Sequence, residues 1–120
     1  MKHSILVVED DASFSFMLAQ HFKHEGFHVT TVFSGNRALD LLESGQKFDA
    51  ILTDIKMANG DGYQVLDRVM KKFGQIPVFM MTGQAYEDDA PPPGATGLFK
   101  KPLSPKAIVG EIRACLRRAS

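Results

Sequence analysis

Cysteine is almost missing from this chain: Cys115 stands alone among 120 residues, which excludes an intrachain disulfide and a thiolate zinc site. Such cysteine usage fits a reducing cytoplasm. Long apolar runs are also missing. No stretch approaches the roughly 18 apolar residues of a membrane span, and the acid at Glu9 comes too early for a secretory leader. There is no excess of charge of either sign, with 14 Lys and Arg against 14 Asp and Glu. A chain that lives on nucleic acid usually carries a basic surplus, so no direct nucleic-acid partner is expected. The halves differ mildly: residues 1–60 hold 8 acids and 5 bases, net −3, and residues 61–120 hold 6 acids and 9 bases, net +3. No Walker A pattern, Gly-x-Gly-x-x-Gly, Ser/His/Asp set or cysteine nucleophile is present.

What remains is an ordinary globular composition, 44% hydrophobic and 23% charged, at the length of one domain. Residues 1–120 are therefore expected to form a single domain. It is large enough to bury about two-thirds of its unfolded surface without staples.

Five apolar, β-branched runs read as strands: Ser4–Glu9, Phe27–Phe33, Ala50–Asp54, Pro77–Thr82 and Gly97–Lys100. Helical patterns separate them. The first runs from Asp11 to Glu25, with Phe14, Met17, Leu18, His21 and Phe22 at helical spacing and Gly26 closing it. Ser34 opens a second, with Ala38, Leu39, Leu41 and Leu42 inward; after the turn residues Asn59 to Gly62 a third runs from Tyr63 to about Phe73, burying Val65, Leu66 and Val69. Ser104 and Pro105 start the last helix, to Arg118, which should bury Ala107, Ile108, Ile112, Cys115 and Leu116. Between strands 4 and 5 the run Pro91–Pro93 forbids a helix of normal length, leaving that helix shortened or lost. Alternating strands and helices predict an α/β doubly wound parallel sheet of order 2-1-3-4-5, with its functional crevice at the carboxyl ends of the strands.

Those ends carry the chemistry. Strand 1 runs into Glu9, Asp10 and Asp11; strand 3 ends in Asp54, strand 4 in Thr82, and Lys101 follows strand 5. Carboxylates crowded at one edge repel one another and call for a cation. An oxygen-only site with few protein ligands and room for water suits Mg²⁺.

The segments Ile5–Asp11, Asp49–Asp54, Pro77–Thr82 and Phe99–Pro102 together resemble the receiver domain of two-component response regulators, over about residues 3 to 118. The resemblance implies the flavodoxin-like sheet. It implies Asp54 as phosphoacceptor, taking phosphoryl from the phosphohistidine of a histidine kinase or histidine phosphotransfer protein. Asp10 and Asp54 would hold Mg²⁺ directly, Glu9 largely through water, and the backbone carbonyl of Lys56 would add a ligand. Thr82 and Lys101 would hold phosphoryl oxygens, and the Lys101–Pro102 bond is expected to be cis. The module would promote its own aspartyl phosphorylation and dephosphorylation rather than serve as a separate enzyme, for which no further general acid or substrate pocket is evident.

Three positions depart from the family pattern. Ala58 stands where proline is usual, Leu98 replaces an aromatic, and the stretch between Thr82 and Lys101 is short and proline-rich. The last two put the usual switch and dimer face in doubt and leave the oligomeric state open. They make the loop from Gly83 to Gly97 the expected mobile element. A degenerate receiver that binds partners without phosphorylation is the alternative. His21, His24 and His28 invite a metal reading, but only the first two share a helix face. Phe14 and Phe16 lie two apart and cannot both face the core: either one packs and the other is incidental, or the pair forms a docking patch. The cognate kinase and the output are not legible.

Overall fold

The computed structural model describes residues 2–83, 90–101 and 103–119. Strands β1 (Ser4–Val8), β2 (His28–Val32), β3 (Ala50–Asp54), β4 (Val78–Thr82) and β5 (Gly97–Lys100) form one parallel sheet, ordered β2-β1-β3-β4-β5. Helices α1 (Ala12–His24), α2 (Gly35–Glu43), α3 (Gly62–Lys72) and α4 (Pro105–Ala119) cover its two faces. This is the flavodoxin-like doubly wound architecture that the alternating pattern predicts.

The apolar runs are continuous because both sheet faces are covered. Successive strand side chains point to opposite faces. Ile5, Val7, Leu52, Phe79 and Met81 therefore join α1 and α4 residues such as Leu18, Phe22, Ile108 and Ile112 in one core. Leu6, Val8, Ile51 and Met80 join Ala38, Leu42, Val65 and Val69 of α2 and α3 in the other. All five residues of β3 and of β4 are buried, whereas the edge strands β2 and β5 are partly exposed.

Helix starts follow the expected caps. Asp11 accepts from the Phe14 amide at 3.1 Å, Ser34 from Arg37 at 3.2 Å and Ser104 from Ala107 at 3.3 Å. Asp61 and Gln64 form a reciprocal capping box at the start of α3.

Two helix faces differ from the expected ones. In α1, Met17 and His21 are exposed, and the buried set is Ser15, Leu18, Ala19 and Phe22. Small residues let the helix approach the sheet, so Ser15 and Ala19 face inward while the longer Met17 lies outside. In α4, Ala107 is exposed, Val109 is buried beside Ile108, and Cys115 is half-buried. The larger apolar side chain takes the core.

Between β4 and β5, residues 83 and 90–96 contain no helix. The Thr96 amide donates to the Val78 carbonyl at 2.7 Å, tying this segment to the sheet, and the Ala95 amide closes a turn on the Pro92 carbonyl at 2.9 Å. Residues 84–89, which hold the centre of the expected mobile loop and of the shortened helix, and Pro102 with its expected cis bond, lie outside the described residues.

The rotated face of α1 is testable. Leu18→Ala should cost about 2–5 kcal/mol, whereas Met17→Ala should stay within roughly 0.5–1 kcal/mol because the side chain is already 41% exposed. Urea titration of the two variants measures the difference, and equal losses would contradict the observed face.

Candidate functional site

Parallel strands bring their carboxyl ends to one edge, and the register aligns the acids there. Val8 lies opposite Thr53, so Glu9 and Asp54, the next residue on each strand, come side by side. Asp54 in turn lies opposite Met81, and Thr82 opposite Lys100. The Glu9 amide donates to Val32 at 3.1 Å and the Lys101 amide to Thr82 at 2.8 Å, so both residues continue the ladder just past their strands.

Carboxylate oxygens of Glu9, Asp10 and Asp54 lie within 4.8 Å of one another. Among the described residues this is the one group of three or more His, Cys, Asp or Glu that could hold a metal ion. Glu9 is fully buried, Asp54 nearly so, and Asp10 is exposed. The Lys101 ammonium reaches in from the next loop, donating to Asp54 Oδ2 at 3.0 Å and to Glu9 Oε1 at 3.1 Å. Three carboxylates thus face one ammonium.

The second Glu9 oxygen, Oε2, is buried with no hydrogen-bond partner. A buried carboxylate left half-satisfied is costly. Burial, with hydrogen bonding to and charge repulsion from Asp54, pushes the Glu9 carboxyl up to about 7. Lys101 moves the other way in effect. Burial alone would lower its pKa, but Asp54 and Glu9 outweigh that and raise it, so the ammonium stays charged. The orphaned oxygen, the oxygen-only donor set and the exposed Asp10 fit a hard divalent cation that retains part of its water shell.

The remaining expected site residues fall around this cluster. Thr82 is buried, and its hydroxyl donates to the Gly83 carbonyl at 3.3 Å. Lys56 is exposed on the loop that leaves Asp54. Asp11, the third acid of the run, caps α1 and is not one of the cluster. His21, His24 and His28 join no metal-capable group among the described residues.

Phe14 and Phe16 separate as helical spacing requires: Phe14 packs on the α1/α4 core, while Phe16 is 66% exposed. Sequence reasoning missed one role here. The Lys101 ammonium sits 5.3 Å from the centre of the Phe14 ring, a cation–π distance. The only signal was the position of Phe14 in the first turn of the helix that follows the acids.

A doubly wound parallel sheet with acids, a hydroxyl and a lysine gathered at its carboxyl edge is the arrangement that the receiver-domain resemblance implies. Comparison with known proteins narrows it further. Residues 5–113 match the response regulator receiver domain family, and the chain belongs to that family, the receivers of two-component signalling. It is 33% identical over 120 residues to the transcriptional regulatory protein CpxR of Escherichia coli K12, the match covering 98% of this chain and 50% of that protein. The chain thus spans about half the length of the curated relatives it matches. Among solved structures, the receiver domain of Francisella response regulator 1452 superposes with a TM-score of 0.90 at 22% identity, covering 99% of this chain and 100% of that one. A CheY-like receiver domain protein of Methanospirillum hungatei JF-1 gives 0.87 at 24% identity, covering 98% and 96%. These two likenesses speak to the fold.

The raised Glu9 carboxyl makes the metal-free protein sensitive to pH. Its folded pKa of about 7 exceeds the ordinary 4.5, so the unfolded chain releases that proton first and stability falls as pH rises between the two values. Glu9→Gln removes this loss. In EDTA, its stability relative to the parent should improve by on the order of 2–3 kcal/mol between about pH 5 and about pH 8. Denaturant titrations at the two pH values measure it, and a constant difference would contradict the ionisation of Glu9 in the cluster.

Proposed function

We propose that residues 1–120 form one receiver domain that takes a phosphoryl group onto Asp54 from the phosphohistidine of a histidine kinase or histidine phosphotransfer protein, and changes its partner binding as a result. The observation that carries this is the pairing of Lys101 with both Asp54 and Glu9, at 3.0 and 3.1 Å, at the edge where Asp10 and Thr82 also lie. Each residue of the expected set is present, and nothing in it favours a phosphorylation-independent role.

Asp54 is the nucleophile. As its oxygen bonds to phosphorus, the phosphorus–nitrogen bond of the donor breaks, and the departing imidazole takes a proton from solvent. Catalysis here is mostly positioning and charge neutralisation. Lys101, already held at Asp54, transfers its hydrogen bonding to a phosphoryl oxygen. Thr82 turns its hydroxyl from the Gly83 carbonyl to another. Glu9 and Asp10, with Asp54 and the Lys56 carbonyl, are the residues that would hold Mg²⁺. When bound, that cation offsets the negative charge of carboxylate and phosphate meeting at one point. The exposed face of Asp10 leaves the donor a way in.

The module modifies itself and acts on no separate substrate. Its partners are the phosphodonor and whatever protein surface reads the phosphorylated state. A reducing cytoplasm suits it, as the lone Cys115 and the kinship with a transcriptional regulator suggest; among the described residues no helix is long and apolar enough to cross a membrane.

Acetyl phosphate with Mg²⁺ should give a single phosphoadduct by intact-mass spectrometry, absent in Asp54→Asn. Thr82→Ala and Lys101→Ala should retain part of it. Asp10→Asn should weaken Mg²⁺ binding several-fold by removing one hard oxygen charge. A full-strength adduct in Asp54→Asn would overturn the acceptor assignment, and unchanged Mg²⁺ affinity in Asp10→Asn would overturn the metal site.

A further inference from the structure

The loop that leaves Asp54 is gripped from outside the site. A helix begins with amides that have no acceptor within the helix. At the start of α2, the Arg37 amide finds the Ser34 side chain, but the first two amides go elsewhere. Gly35 donates to the Gly60 carbonyl at 2.8 Å, and Asn36 to the Asn59 carbonyl at 3.1 Å. Both acceptors belong to the loop between β3 and α3. The positive end of the α2 dipole favours these carbonyls further.

Sterics make the grip specific. A Cβ on Gly35 would lie 2.5 Å from the Gly60 oxygen and 2.6 Å from its carbonyl carbon, both backbone atoms that cannot swing aside. From the other side, a Cβ on Gly60 would meet Asn36 Oδ1 at 2.6 Å and the Asn36 nitrogen at 2.7 Å. Two successive left-handed residues, Asn59 at φ 60° and Gly60 at φ 97°, carry the chain through this contact. The near end of the loop is fixed as well: the Ile55 amide donates to Met81 at 2.9 Å, and the Ile55 carbonyl accepts from Gly62 at 2.8 Å. Between these fixed points hangs Lys56, two residues past Asp54.

We infer that the glycine contact between the α2 N-terminus and the Asn59–Gly60 turn is a positioning device for the metal site, setting where the Lys56 carbonyl stands relative to Asp54. Gly35 and Gly60 are its positioning residues. The inference rests on the Mg²⁺ reading proposed above. Mg²⁺ requires near-octahedral oxygen geometry at short range, so a displaced ligand costs affinity even when the fold survives. The device also couples the first turn of α2 to occupancy of the cluster.

The test compares Mg²⁺ affinity in the parent protein, Gly35→Ala and Gly45→Ala, by NMR titration under conditions where circular dichroism finds each variant folded. Gly45 follows the opposite end of α2 at φ +92° with nothing within 4 Å, so alanine there strains the backbone without touching the loop. Gly35→Ala should weaken Mg²⁺ by about tenfold, the low end of what lost ligand support costs, and shift the Lys56–Gly60 amides, while Gly45→Ala binds as the parent does. Equal affinity in Gly35→Ala and the parent, or equal loss in both variants, would overturn the positioning role. A parent protein that binds no Mg²⁺ would overturn the metal reading and the inference with it. If Gly35→Ala does not fold, amide exchange in the parent decides: Mg²⁺ should slow exchange at Gly35 and Asn36, and unchanged rates would overturn the coupling.

Discussion

One ammonium holds together the edge on which everything else in this protein depends. Lys101 bridges Asp54 and Glu9 across strands that are not neighbours in sequence, offsetting part of the repulsion among three clustered carboxylates. Its reach follows from the sheet: the Lys101 amide bonds to Thr82, one step beyond the Thr82–Lys100 pair, and this delivers the side chain to the acids. The Phe14 ring lies beneath the ammonium and links it to α1. Lysine suits this place because its charge is compact and its three donors can serve both carboxylates at once.

The cluster holds more carboxylates than Lys101 pairs with. Glu9 is wholly buried, keeps one oxygen unpaired and has a carboxyl raised towards neutrality. Ionising such a group weakens the bare fold as pH rises. Its unpaired oxygen, beside Asp10 and Asp54, fits the oxygen-only donor set that a hard divalent cation accepts. The two apolar cores on either side of the sheet supply the stability against which this burial is set.

The surroundings of the site differ from the common family pattern in how a signal would leave it. Leu98 packs half-buried against the α2/α3 core, and Phe99 stacks on Phe79 in the other. A side chain wedged there has no polar end to move between two states. The segment before it is tied to β4 through Thr96, and Gly94 stands close against Met70 of α3. The Asp54 loop, for its part, is hydrogen-bonded to the first turn of α2 through Gly35 and Asn36.

The sequence was sufficient for the strands, the helices, their order and the gathering of Glu9, Asp10, Asp54, Thr82 and Lys101 at one edge. Those follow from local rules: continuous apolar runs mean strands covered on both faces, alternation with helices means parallel pairing, and parallel pairing brings the carboxyl ends together. What only the tertiary structure decided were choices among side chains that local rules treat alike. Met17 and Ser15 both fit a helix, but close packing on the sheet turned the small residue inward. Asp11 looked like a member of the acidic set, yet the helix that begins beside it claimed its carboxylate. Gly60 reads in the sequence only as a turn residue and Gly35 only as the start of a helix, yet these two segments, 25 residues apart, meet backbone to backbone. Contacts of that kind depend on distances between elements, and a linear pattern does not encode them.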